Sequence, residues 1–168
     1  MFANQEIDIS TIPKAEIVSL KPISRSYLKI LFINNILKYI ILFGLIISGN
    51  NFLEKEWISN VFWYVIILLV VLFILQSIIT VLGFKKRGYA LRTHDIIYAK
   101  GLLSHKKTIV PFIRIQHTET KQSFIAKLFN LASLNVYTAG ESGGDLSING
   151  LTRTEAENIN QLLTTKIK

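Results

Sequence analysis

Apolar residues fill two long stretches of this chain and alternate with polar ones through most of the remainder. From Trp57 to Phe84, 28 residues pass without a charged side chain, and Val61 to Leu75 is unbroken hydrocarbon and aromatic. A bilayer is crossed by about 20 apolar residues at roughly 1.5 Å each. A chain of 168 residues, by contrast, has no core deep enough to hide such a helix on every face. The pattern therefore predicts a membrane span over about 58–82. A weaker apolar segment, about 30–48, precedes it and carries Asn34, Asn35 and Lys38 among 13 Ile, Leu and Phe residues. Those residues contribute about −4 to −8 kcal/mol to insertion, against roughly +2.5 to +3.5 kcal/mol for a central lysine plus the cost of two amides. The balance favours a second span, with an interfacial amphipathic helix as the competing reading. The short polar connection from Gly49 to Glu56 lets the two form an antiparallel hairpin over 28–84.

After residue 85 the pattern changes to short alternating runs, which predict six or seven half-buried strands. Tyr89, Leu91 and Thr93 alternate; Ile96 to Ala99 is a short apolar run; Leu102 to Val110 resumes until Pro111. Ile113 and Ile115 then alternate with Arg114 and Gln116, followed by Leu134, Val136 and Thr138, and by Leu146 and Ile148. Between these, Ser123 is placed to cap a helical turn whose Phe124, Ile125, Leu128 and Phe129 share a face, with Asn130 as its left-handed stop. Thr152 to Glu155 reads as a capping box ahead of an amphipathic helix striped by Ala156, Ile159, Leu162, Leu163 and Ile167. The chain thus divides into an N-terminal arm (1–27), the hairpin (28–84) and a mostly-β domain with some helix, α+β in class (85–168). Its expected shape is a curved antiparallel sheet or partly open barrel, closed by a C-terminal capping helix.

Composition adds compartment and charge. The chain has no cysteine, which excludes disulfides and thiolate chemistry. Basic residues flank both apolar segments on their outer sides, while the connecting loop has only Lys55; the positive-inside rule then puts both termini in the cytoplasm of a two-pass protein of the cell membrane. From Lys85 onward lie 13 of the 19 Lys and Arg residues and six of the 11 acids. A basic domain beside an anionic leaflet is the plain reading, with Lys85, Lys86, Arg87 and Arg92 as candidate contacts to the bilayer surface. Nucleic-acid binding is disfavoured, because there is no basic recognition helix and no aromatic stacking platform.

The run Ile109-Val110-Pro111-Phe112-Ile113-Arg114-Ile115-Gln116, then Gln122-Ser123, then Lys127 to Leu134, then Val136 and Thr138-Ala139-Gly140, resembles the signature of bacterial pleckstrin-homology-like domains of the YdbS type. The closing Ile148-Asn149-Gly150-Leu151 and its following helix are similar too, and the resemblance covers roughly residues 20–168. One departure is Asn130, where that family usually has Gly. The resemblance implies a small curved sheet closed by a C-terminal helix, with Arg114, Gln116, Gln122 and Gly140 as motif positions. It also implies a membrane protein partner, possible as a larger protein carrying several copies of the domain. An oligomer is compatible with the sequence.

Three chemical patterns in the sequence compete with a binding or scaffold module. Gly140-Glu141-Ser142-Gly143-Gly144 spells a nucleophile elbow, but no helix follows it and the last histidine is His117, so a glycine-rich hairpin is the simpler reading. His94, His105 and His117 lack clustered carboxylates for a metal site, although a turn at Pro111 would let His105 face His117 across a hairpin. No phosphate loop is present and no cofactor is expected. The remaining alternative to a binding or scaffold module is an accessory subunit of a transport or export system, using Asn34, Lys38 and Gln76 as a polar seam within the membrane.

Overall fold

The computed structural model describes residues 18–52, 56–102, 104–139 and 145–167. Two long helices come first, α1 (Ser26–Phe52) and α2 (Glu56–Lys85). Within them Ser26–Gly49 and Val61–Lys85 are long and apolar enough to cross a membrane, and none of the second window is buried inside the protein. A core helix of a soluble domain would be mostly covered; here Trp63, Tyr64, Ile67 and Leu68 all stand exposed. Both helices outrun the apolar stretches that predict them, because the turn at Ser26–Lys29 holds no proline or glycine to stop the helix. Tyr39 packs edge-on to Phe73 at 5.1 Å between the helices.

The rest folds into two antiparallel sheets that do not close into a barrel. The first has the order β1 (Lys21–Pro22), β2 (Gly88–Leu91), β3 (Asp95–Lys100), β4 (Lys106–Pro111). A 3-10 turn, Phe112–Arg114, leads to the second, with the order β5 (Ile115–Lys121), β6 (Leu131–Thr138), β7 (Leu146–Thr152). The short helix α3 (Phe124–Leu128) joins β5 to β6, and α4 (Arg153–Ile167) follows β7. Ile96, Leu134, Val136, Ile148, Leu151 and Leu163 are fully buried, each contributing about 1.5–3 kcal/mol. Ala156, Ile159 and Leu163 seat α4 on this core, whereas Leu162 is 41% exposed at the stripe's edge.

Features decided by near neighbours in the chain match the sequence pattern. Thr152 Oγ1 accepts from the Glu155 amide at 3.2 Å while Glu155 Oε2 accepts from the Thr152 amide at 3.2 Å. Ser123 Oγ accepts from the Ala126 amide, and Asn130 sits at φ 52° to end the turn. Three expectations are corrected. The run Leu102 to Val110 becomes a strand only at Lys106, because Gly101 at φ 109° begins a turn. Ile113 and Arg114 belong to the 3-10 turn rather than a strand, since the chain changes sheet there. That same change of sheet pairs β4 with β3 and β5 with β6, so His105 and His117 do not face each other across a hairpin.

The two ends of the sheet domain are set by the helices. Only Lys86 and Arg87 separate α2 from β2, so Gly88 and its partner Ala99 lie at the helix end, and Leu91, Asp95 and Pro111 at the far end. The chain entering α1 is tied to the same place: Pro22 pairs with Gly88 and Lys21 with Tyr89. Residues 21–27 of the expected arm are thus part of the domain's framework. The Ser24 amide donates to Gly150 O at 2.9 Å, Ile23 is buried, and Tyr27 packs on the core. A Cβ added to Gly150, whose φ is +85°, would lie 2.5 Å from Tyr27 Cγ, so the first turn of α1 rests directly on β7.

Candidate functional site

A cavity of about 550 Å³ opens between α1 and α2 and runs to the helix end of the domain. Its walls include Asn34, Asn35 and Lys38 from α1, Gln76 and Thr80 from α2, and Arg87 and Leu102 from the segments beyond. Lys38 Nζ donates to Gln76 Oε1 at 2.9 Å and lies 4.6 Å from the centre of the Tyr39 ring. Lys38 is nine residues past Lys29 and Gln76 nine before Lys85, about 13 Å along each helix, so the two meet at matching depth. The structure therefore brings all three expected seam residues to one cavity. Asn35 was missed as a member: it is 6% exposed, donates to Ser77 Oγ at 3.3 Å, and its Oδ1 has no partner among the described residues. Its signal was present in the sequence as an amide next to Asn34 on the turn before Lys38.

Of the expected surface cations, Lys85 and Lys86 are exposed where α2 ends. Arg87 is half-buried, with its guanidinium 5.7 Å from the Tyr27 ring centre, and it also lines the cavity. Arg92 is not brought to this group: it sits past the far end of β2 in an ion pair with Asp95. In its place the fold gathers Lys100, Lys106 and Lys127 at the helix end. Lys29 Nζ lies 5.9 Å from the Phe129 ring, which sets α3 beside the first turn of α1. The face expected on α3 is split, with Ile125 and Phe129 partly buried and Phe124 and Leu128 standing 79% and 70% exposed.

Beside the β1–β2 pairing, Lys21 is ion-paired with Glu155, and Tyr89 OH donates to Glu155 Oε1 at 3.4 Å. Burial pushes the Glu155 carboxyl up, but the bonds from Lys21 and Thr152 outweigh it and hold it below the usual carboxylate range. The bond to Glu155 holds Lys21 above its ordinary value, and burial raises the Tyr89 phenol.

The motif positions have separate duties. Arg114 is exposed in the 3-10 turn while its carbonyl accepts from the Ala139 amide at 3.1 Å. Gln116 is exposed at a bulge between Ile115 and His117. Gln122 Nε2 donates to Leu131 O at 2.8 Å, fastening α3 to β6. Gly140 and Ser142 lie outside the described residues. His117 stacks on Tyr137 at 4.3 Å, and among the described residues no three His, Asp or Glu side chains converge as a metal site would require. Ile113, next to Arg114, is 95% exposed at the far end, which no sequence alternation foretold.

Comparison with known proteins agrees with this architecture. The family model for the bacterial PH domain matches residues 31–167. The chain is similar to the transmembrane protein YdbS of Bacillus subtilis (strain 168), with 33% identity over 85 residues, 49% of this chain. That match spans about half, 51%, of the curated relative's length. No solved structure matches the chain. With two membrane-capable helices joined to a PH-like pair of sheets, this is a membrane protein, and the chain belongs to the bacterial PH domain family.

Proposed function

We propose that this protein is a non-catalytic, membrane-anchored binding module that holds its PH-like domain against the inner leaflet as part of a membrane protein complex. The observation that carries the reading is the clamp: β1 and β2, which flank the hairpin on either side, pair with each other, and Tyr27 seats on Gly150. A domain fastened this way cannot swing on a linker, so one end faces the lipid and the other points away from it. Supporting the assignment of the lipid end are exposed Lys85, Lys86, Lys100 and Lys127, with exposed Phe124 and Leu128 on α3, which sits beside the first turn of α1. Both termini are then cytosolic, in keeping with the basic flanks. The far end, with Ile113 exposed beside Arg114, is the surface for a protein partner.

A photo-crosslinker at position 113, in native membranes, tests the partner half of this reading. One discrete adduct is expected there and none from a crosslinker at exposed Asn158; indiscriminate adducts at both positions would contradict it. The second reading, an accessory transport subunit, draws on the cavity that joins Lys38 to Gln76. Solute flux through reconstituted protein that disappears with Lys38→Met would favour it over the scaffold.

A further inference from the structure

We propose that the cavity between the membrane helices is a binding site for the phosphodiester headgroup of one anionic phospholipid, held between Lys38 and Arg87. The inference goes beyond the scaffold reading and depends only on the hairpin spanning the bilayer.

Its starting point is a charge without a counter-ion among the described residues. An ammonium within hydrocarbon costs several kcal/mol unless it is paired or hydrated, and neither Ser26–Gly49 nor Val61–Lys85 contains an acidic residue. A second copy of these two spans would bring only further lysines. Lys38 spends one of its three N–H donors on Gln76 and keeps the others for a ligand. Arg87 lies with its guanidinium carbon 5.7 Å from the Tyr27 ring centre, and a guanidinium carries five N–H donors in a fork that suits a bidentate oxyanion. The two cations line opposite ends of one cavity, Lys38 about 13 Å below the end of α2 and Arg87 just past it, so one bound group touches both once the Lys38 stem leaves Gln76 and bends toward the headgroup level.

The shape of the cavity selects a lipid over a soluble anion. At about 550 Å³ it falls within the usual range for ligand sites, roughly 300–1,000 Å³. Leu31 and Ile79 give it apolar walls on the bilayer side, while Arg87 lies just past the end of α2, at headgroup level. Lysine stems bend readily toward that level. A phosphate anchored between the two cations with its acyl chains along Leu31 and Ile79 satisfies both the charge and the apolar wall. Basic pockets between membrane helices at the cytoplasmic side are suited to this kind of head group.

The test uses full-length protein in neutral detergent, titrated with dioctanoyl phosphatidylglycerol, dioctanoyl phosphatidylcholine or inorganic phosphate, and read by native mass spectrometry. Saturable one-to-one binding of phosphatidylglycerol is expected, with no comparable binding of the other two. The double substitution Lys38→Met with Arg87→Gln is expected to weaken it about thirtyfold, while Lys85→Gln with Lys86→Gln changes it less than about threefold. Lys38→Arg, which keeps the charge, is expected to retain binding and guards against a misfolded variant. Equal binding of phosphatidylcholine would overturn the proposal. So would equal losses from the two double substitutions, since that pattern means diffuse surface attraction. Saturation by inorganic phosphate alone would also overturn it, as would saturation by a membrane-spanning peptide carrying one glutamate without any preference for anionic lipid. None of these outcomes bears on the crosslink at position 113, so the two proposals fail separately.

Discussion

The helix end and the far end of the PH-like domain are built from the same strands, yet they differ in every property that governs contact. At the helix end, lysines cluster, backbone from the N-terminal segment pairs along the edge of the sheet, and a glycine is needed for an aromatic ring to fit. At the far end, Arg92 is neutralised by Asp95, and Ile113 is left in the open. On the proposed reading, the contrast separates two tasks along the strand direction: fastening to the bilayer on one side and offering a compact apolar contact on the other.

The largest effect should come from attacking the clamp. Gly150→Ala forces a Cβ against Tyr27 and holds a non-glycine residue at φ +85°, so unfolding of the domain is expected to be easier by about 2–4 kcal/mol. Denaturant unfolding in detergent measures this, and retention of full stability would show that the α1–β7 seat is not structural. Charge removal comes next. Changing Lys100, Lys106 and Lys127 to Gln should reduce enrichment of spin-labelled anionic lipid by about 1 kcal/mol per cation, with the difference eroded by salt. Arg92→Gln with Arg114→Gln at the far end should leave that enrichment unchanged; equal losses from both ends would erase the distinction.

Smaller effects sharpen the comparison. Thr152→Ala removes the acceptor for the Glu155 amide and is expected to cost about 1 kcal/mol in the same unfolding measurement. The Lys21–Glu155 pair should make the clamp pH-dependent. Because the Glu155 carboxyl is held low, its contribution is complete above the ordinary 4.5 and fades as the pH drops through its folded value. Lys21 is held high, so its contribution persists up to its ordinary 10.5 and is lost above that. Lys21→Met should flatten the acid limb, by less than about 1 kcal/mol for so exposed a pair. Least of all, Ile113→Ser should leave stability within about 0.5 kcal/mol, since nothing packs on that side chain.

What the sequence made legible follows from how far apart the interacting residues are. The spans, the Thr152–Glu155 box, the Ser123 cap and the left-handed Asn130 are decided within a few positions, and each was readable as pattern. The two-residue β1 was not, because Lys21 and Pro22 find their partners across the whole hairpin. Alternation placed Ile113 with Ile115, but the change of sheet inserts a 3-10 turn and sends one outward and the other into the core. Asn34, Lys38 and Gln76 were visible as polar residues in apolar runs. Their meeting with Arg87 and Leu102 depends on how the domain seats on the helices, which no local spacing records.

The absence of cysteine from the chain permits the most direct test of the lipid end and the far end. Leu128→Cys and Ile113→Cys, both at exposed apolar positions, would each carry a fluorophore in protein reconstituted into vesicles with headgroup-attached quenchers. Strong quenching at 128 and little at 113 is the expected result, unchanged when the quenching lipid is neutral. Equal quenching at the two positions, or stronger quenching at 113, would contradict a domain clamped with its basic end on the bilayer.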